Sequence, residues 1–467
     1  MKKTTPVFYN IVGLFFFWGF VAASNDVLIP IFKDHLKIEQ WQSQMISFVF
    51  YVAYTIGSIT YLLLSYYLQN DLLQKIGYTK GLSYGLLISF LGTLFFIPAA
   101  QNSSFLFLII GLFIIGLGFS LQQTAANPLV IAAGDENYGS QRLSLAGGIN
   151  NIGTTIGPLI VSYAVFKNTK EISQLSDLMY PYLILGILFL MVAVKFYLLK
   201  ETAININVHS EDALNIKQLS EIKSLIKVPQ VWMGMVAIFV YVGVEVSTAA
   251  NLAEFAKQKA SISTSAIAPY VSLYWASLMI GRWASASDIF ADSKIKKMIL
   301  KILFPLTAFI FFLIILSVHQ KSISNVEWMI AYIILLLISD YLSQGNAAKQ
   351  LLLYATAGII LITLSMFSKG EFSVFNIIAV GLFCSTLWPC IFEIALKGMG
   401  NKAGIVSSLL IMMIMGGGWI SLLQGYVSKI VGINLSYSVG ILCFAYLLYY
   451  GWKSYRVEND TESKIIN

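Results

Sequence analysis

Carboxylates and carboxamides are the groups to weigh first, because this chain sets them inside segments otherwise suited to lipid. Asp26 lies within FFFWGFVAASNDVLIP (15–30), directly after Asn25. Glu245 lies within AIFVYVGVEVSTAAN (237–251), with Tyr241 and Thr248 at helical spacing on its face. An ionised carboxylate at bilayer depth is costly unless it is paired or hydrated, so intramembrane acids mark ion or proton paths. No Lys or Arg in the neighbouring apolar sequence neutralises Asp26. The amides come in stripes. In SLQQTAANPLV (120–130), Ser120, Gln123, Thr124 and Asn127 recur at i, i+3, i+4 and i+7, one face of a helix. The next apolar segment repeats the device with Gly147, Asn150, Asn151 and Thr154. Hydrogen bonds between helices are one use for such groups, worth about 1 kcal/mol each. Two adjacent stripes are better suited to a wet cavity that receives a polar solute, since neutral amides both donate to and accept from hydroxyl groups. Trp388, beside Pro389, offers a wall on which the apolar face of a ring can stack, or else fills volume.

Other chemistries find no footing. Cys384, Cys390 and Cys443 fall in apolar segments, and His35, His209 and His319 are scattered through polar ones, so no metal-ligand spacing arises and no metal or cofactor is expected. No G-x-x-x-x-G-K-[ST] loop and no Ser-His arrangement is present, which argues against nucleotide hydrolysis and against an enzyme.

The elements that must position these residues are membrane helices. Of the 467 residues, 57% are apolar or aromatic and 11% are charged, and the mean hydropathy is +0.75. A helix crossing the hydrocarbon layer needs about 20 mostly apolar residues. Such segments recur near 7–32, 43–68, 78–100, 104–132, 141–166, 178–199, 230–256, 266–290, 297–318, 326–343, 349–367, 373–397, 403–428 and 433–452, which predicts an all-α, multi-pass membrane protein of about 14 spans. The apolar run after Lys2 and Lys3 is too long for a cleaved leader, and a first helix that is kept is expected. The longest polar segment, 200–229, has room for one amphipathic surface helix.

Charge orients the chain. Of its 30 Lys and Arg residues, 21 fall in loops on the side of the N-terminus and 9 on the other, and Arg142, Arg282 and Arg456 are all among the 21. The positive-inside rule then puts both termini in the cytoplasm of an inner (plasma) membrane, and explains the net charge of +7 without a nucleic-acid partner.

The two parts of the chain echo each other. GLGFSLQQTAANPLVIAAG (116–134) and GLFCSTLWPCIFEIALKG (381–398) both begin Gly-Leu, hold a mid-span Pro and end in Gly; each is followed by a glycine-rich segment, 142–160 and 404–425. AASND (22–26) and TAAN (248–251) interrupt the first span of each part alike. The expected division is a six-helix half over 1–200, a cytoplasmic linker over 201–229, and a second half over 230–467 that carries an inserted helix pair at about 326–367. Gly153–Gly157, Gly81–Gly85 and Gly416–Gly418 are expected at close helix contacts.

SNDVLIP (24–30), QQTAANPLV (122–130), QRLSLAGGINNIGTTIGP (141–158), YVGVEVS (241–247) and LWPCIFEIALKGMG with GIVSSLLIMMIMGGG (387–418) closely resemble the fucose and glucose/galactose permeases, sugar symporters of the major facilitator superfamily. The resemblance runs in order over almost the whole chain, apart from about 320–370. It implies a major facilitator fold with a central cavity and monosaccharide uptake driven by a cation gradient. Asp26 matches the family's first-span aspartate, associated with proton coupling. Three positions depart from the fucose permeases: Gln123 stands where they carry glutamate, Ala23 where they carry asparagine, and Gly147 where they carry glutamine. YVGVEVS is instead similar to the glucose/galactose branch.

These readings converge on a secondary active transporter importing a neutral hexose, glucose or galactose, by proton symport. Asp26 and Glu245 are the expected proton-coupling residues; Asn25, Gln123, Asn127, Asn150, Asn151, Glu245 and Trp388 are the expected sugar-binding ones. Sodium coupling, L-fucose or N-acetylhexosamine uptake, and a proton-driven exporter of the same fold remain as alternatives. The expected partners are a small sugar and membrane lipid, with the chain working as a monomer.

Overall fold

The computed structural model describes residues 6–67, 72–132, 139–166, 179–199, 224–286, 293–318, 323–399 and 403–466. The linker helix expected within 200–229 lies for the most part outside the described residues. Among the described residues the chain is helical, without strands. We number the long elements α1 (Pro6–Leu36), α2 (Gln40–Tyr67), α3 (Tyr78–Leu94, continued by Phe96–Gln101), α4 (Phe105–Ala132), α5 (Gly139–Phe166), α6 (Met179–Leu198), α7 (Pro229–Ala260), α8 (Ala268–Ala286), α9 (Lys294–Val318), α10 (Trp328–Ser343), α11 (Ala347–Phe367), α12 (Gly370–Cys384, resumed at Leu387–Leu396), α13 (Ala403–Met412, resumed at Gly416–Ser436) and α14 (Ser438–Ile466). Each falls on one of the apolar segments of the sequence. Among the described residues, seven helical runs are long and apolar enough to cross a membrane, and Tyr9–Ser24, Tyr182–Leu198 and Trp328–Ser343 are shorter apolar ones.

Backbone hydrogen bonding inside lipid must be satisfied within each segment, which is why the apolar pattern yields helices here. Glycines then decide which helices touch. A methyl group on Gly153 of α5 would strike the Phe16 carbonyl of α1, and one on Gly157 would strike the Phe20 carbonyl. In the second half, Gly416 of α13 meets the Phe239 carbonyl of α7 in the same manner. Gly85 and Gly118 bring α3 onto α4, and Gly281 brings α8 onto Ser385 in the break of α12.

Packing repeats as well. In the first half α1 lies on α5, α2 on α4, and α3 on both α4 and α6; in the second, α7 lies on α13, α8 on α12, and α11 on both α12 and α14. Two apolar cores result, one built from α1 to α6 with Ala250 of α7, and one from α7 to α14 with Leu159 of α5. The halves meet along α2–α13 and α5–α8.

The packing points to a different added pair from the expected 326–367. The helix over Ala347–Phe367 takes the place of α3, so α9 and α10 are the two without a first-half counterpart. Hydropathy does not distinguish a lipid-facing helix from one that closes a bundle, whereas contact does. The outer side of α9 is lined with exposed Ile295, Met298, Ile299, Ile302 and Leu303. The pair is also pinned by polar groups: Lys301 of α9 pairs with Asp340 of α10, and the second Asp340 oxygen accepts from Gln350 of α11 at 3.4 Å.

Candidate functional site

Of the expected site residues, Asp26 and Asn151 bond across the seam between the halves, and the others with described side chains bond or stack within their own half. Asp26, on the inward side of α1, is 5% exposed, so a merely hydrated carboxylate is not what the fold makes of it. Its Oδ2 accepts from the indole Nε1 of Trp275 on α8, in the other half, at 2.8 Å. Among the described residues it has no cationic partner. Glu245 of α7 is half-buried and accepts a hydrogen bond from the Tyr241 hydroxyl one turn earlier. The Tyr274 hydroxyl donates to the backbone carbonyl of Glu245 at 2.7 Å, which fixes α7 against α8 at this level. Tyr51 of α2 is within the electrostatic reach of both carboxylates.

The amide stripe of α4 faces α2. Gln123 Oε1 accepts from the Tyr54 hydroxyl at 2.7 Å, and Ser120 shares a hydrogen bond with Ser58 at 2.9 Å. Thr124 donates to the Ser120 carbonyl. Gln123 and Thr124 remain half-exposed, whereas the neighbouring Gln122 is fully buried, taking the Trp18 indole N–H and donating to Ser89. Both glutamines thus bond to neighbouring helices, and of the two it is Gln123 that keeps part of its surface open. Asn25 and Asn127 sit on α1 and α4, and their side chains lie outside the described residues.

The second stripe splits. Asn150 donates to the Phe15 carbonyl of α1 at 2.8 Å and remains half-exposed. Asn151 turns to the other half, where its Oδ1 accepts from Arg282 Nη1 of α8 at 2.9 Å. Thr154 caps the Asn151 carbonyl. A methyl group on Gly147, Gly148 or Gly13 would meet nothing within 4 Å, so there is open space beside α1 and α5 towards the ends where they begin.

Trp388 follows the α12 break by a few residues and is half-buried. Its ring stacks on Phe392 at 4.8 Å and tilts towards Tyr241 at 6.3 Å, on the side of Glu245. Trp275 and Arg282 were not among the expected site residues. The sequence marks Arg282 as an orienting charge, and its place four residues before the end of α8 gives no hint that its side chain crosses to Asn151. Trp275 sits in an apolar run, where an indole reads as packing.

At the opposite end the seam is shut. Lys33 pairs with Glu254 at 2.6 Å, Lys257 with Asp34 at 3.3 Å and Lys429 with Glu39 at 2.7 Å, each bond joining one half to the other. Gln40 and Asn251 add a bond of 3.0 Å.

Two halves with the same six-helix packing, the second carrying an added pair, meet along two helix pairs and are tied by ion pairs at one end, and the family model described as Major Facilitator Superfamily matches residues 11–345. The chain belongs to the Major Facilitator Superfamily. It is 28% identical over 443 residues to a glucose/galactose transporter of Brucella abortus biovar 1 (strain 9-941), covering 94% of this chain and 91% of that one. It is 25% identical over 458 residues to the L-fucose-proton symporter of Escherichia coli (strain K12), covering 94% and 90%. A crystal structure of the E. coli fucose:proton symporter shares the fold at a TM-score of 0.60 and 24% identity, with 96% and 98% of the chains covered. A bacterial homologue of the human lysosomal transporter Spinster, inward-facing and unoccupied, gives 0.65 at 11% identity over 97% and 98%.

Proposed function

We propose that this superfamily member is a secondary active transporter that takes up a neutral hexose, glucose or galactose, together with a proton. The observation that carries the reading is Asp26, a buried carboxylate with no cation among the described residues, held by an indole from the opposite half. Its charge state therefore bears on the contact between the two bodies that must move. Sugar bound in the seam allows Asp26 to take up a proton, and only the doubly loaded or the empty carrier changes face. Such coupling requires the loaded and unloaded forms to differ in free energy between the two faces. Glu245 is the second candidate for the proton and also an acceptor for a sugar hydroxyl, with Gln123, Asn150 and Asn151 as amide partners and Trp388 as a stacking wall. Asn25 and Asn127 complete the proposed set.

The relatives support this class of substrate, one being named a glucose/galactose transporter and another an L-fucose-proton symporter. With the basic loops in the cytoplasm, 1–200 and 230–467 are the two halves of an inner-membrane carrier and 201–229 is a cytoplasmic linker. The end closed by ion pairs is then the outer one, and the carrier faces inward. We take it to function as a monomer without a bound cofactor.

The test is alkalinisation of weakly buffered medium outside vesicles when glucose, galactose, fucose or N-acetylglucosamine is added. A hexose-dependent proton influx that vanishes in Asp26→Asn is the expected result. Labelled-sugar uptake that depends on sodium, with no proton signal, would overturn proton coupling. A signal with fucose or N-acetylglucosamine alone would change the substrate. No response to any sugar, from a folded and inserted protein, would sink the sugar reading in favour of an exporter.

A further inference from the structure

Arg282 holds together three elements that the proposed transport cycle displaces. Its Nη1 donates across the seam to Asn151 of α5 at 2.9 Å, and its Nε donates to the Ser385 carbonyl at 3.2 Å. Ser385 lies in the break of α12, where the helical ladder is interrupted between Cys384 and Leu387. That break leads directly to Trp388. Glu245 lies in the electrostatic field of the same guanidinium. Arg282 itself is half-buried, and among the described residues the N–H groups of its Nη2 have no protein acceptor.

The second observation is on Asn151. It is 3% exposed, its Oδ1 is taken by Arg282, and its Nδ2 is buried with no hydrogen-bond partner. A desolvated amide donor without an acceptor is unfavourable, and such groups in native proteins are explained by something that completes them. The amide is planar, so this N–H lies beside the oxygen that Arg282 binds. A guanidinium fork and an unsatisfied amide donor therefore adjoin, and Glu245, which lies in the field of that guanidinium, is held by Tyr241 beside the aromatic wall that Tyr241 forms with Trp388.

We propose that Arg282 and Asn151 form a subsite that reads one hydroxyl of the sugar ring. Arg282 Nη2 and Asn151 Nδ2 donate to the hydroxyl oxygen, and the hydroxyl in turn donates to Glu245. The assignment rests on the hexose reading above and adds to it a specificity-determining residue, Arg282, together with the demand that one ring position carry an unsubstituted hydroxyl. The fork matters as well as the charge, because a lysine ammonium presents its donors as a compact point rather than a plane.

The experiment is competition for labelled hexose uptake in proteoliposomes by the complete set of monodeoxy analogues of the transported sugar. It uses the wild type, Arg282→Lys and Asn151→Ala. In each variant the half-inhibiting concentration of the parent sugar is expected to rise about 10- to 100-fold, the range of a hydrogen bond to a charged group. For one analogue, lacking the hydroxyl that the subsite reads, wild type and Arg282→Lys are expected to bind equally weakly. Removing the hydroxyl and removing the fork then fail to add, as for groups in direct contact. The same loss for every analogue, or an unchanged affinity with a lower maximal rate, would overturn the subsite and leave Arg282 as a strut between helices. Should Arg282→Lys not fold, the wild type decides: equal binding of all monodeoxy analogues overturns the proposal. A wild type that takes up no hexose at all overturns the transport reading itself, and the subsite with it; that outcome is seen before any variant is made.

Discussion

Asp26 and Glu245 are both carboxylates on the first helix of a half, yet the fold treats them in opposite ways. Asp26 is buried on the seam, touches the other half through Trp275, and has no cation among the described residues. Glu245 is half-exposed, is held by Tyr241 within its own helix, and lies in the field of Arg282. The two helices are otherwise matched, since Phe16 and Phe239 offer their carbonyls to Gly153 and Gly416 in the same contact. Ten residues beyond Phe16 stands Asp26, and ten beyond Phe239 stands Ala249; six beyond each stand Ala22 and Glu245. The repeat thus supplies a common scaffold, and the chemistry departs from it by setting one acid per half at different heights. A buried acid held across the seam by an indole suits a proton that comes and goes, while one held by a hydroxyl within its own helix suits an acceptor for a second hydroxyl.

The sharpest break of this comparison is Asp26→Asn. It is expected to abolish sugar-dependent proton influx while leaving exchange of internal for external sugar in place, measured with a pH electrode and by counterflow. Equal loss of exchange would give Asp26 a binding role and erase the distinction. Next comes Glu245→Gln, expected to weaken half-saturation by about 10-fold or more, as for a charge-assisted hydrogen bond, with protons still moving at saturating sugar. Loss of the proton signal here as well would mean that the two acids share the proton.

The scaffold can be tested apart from the chemistry. A methyl group at Gly153 or Gly416 meets backbone that cannot give way cheaply, so Gly153→Ala and Gly416→Ala are each expected to destabilise by about 1–3 kcal/mol. Gly147→Ala, with open space around it, should melt like the wild type in a detergent thermal assay. Unequal losses at Gly153 and Gly416 would argue against their equivalence.

The smallest effect belongs to the closed end. The hydrogen bond from Lys429, and then that from the Trp41 indole, hold the exposed Glu39 carboxylate below the usual glutamate range. A depressed value in the folded protein means that the contribution is complete above the unfolded value and fades as pH falls through the folded one. Glu39→Gln should therefore change uptake less than about twofold at neutral pH, as exposed ion pairs do. Any difference from wild type should shrink further in acid, read from initial rates across pH.

Much of the fold was legible because lipid leaves so few solutions: apolar segments of sufficient length must be helices, and glycine at helical spacing predicts where two will touch. Asp26 and Glu245 were legible for the same reason, being polar where polarity is costly. Their partners were not. Trp275 and Arg282 lie far along the chain from Asp26 and Asn151, and no periodicity within one helix reports which residue of another it will face. The stripe of Asn150 and Asn151 likewise read as one surface, although neighbouring positions on a helix point about 100° apart, towards α1 and towards α8.

Sequence by itself determined that this protein is a bundle of membrane helices in two related halves with acids and amides at depth, because hydropathy, helical period and repeated motifs are properties of a segment. Tertiary structure alone decided which helices are the added pair, which amides bond within a half and which bond across the seam, and which acid is held from the opposite half. Those are properties of contacts between segments, and a contact is set by how glycines, aromatic rings and polar groups fit together once the helices have formed.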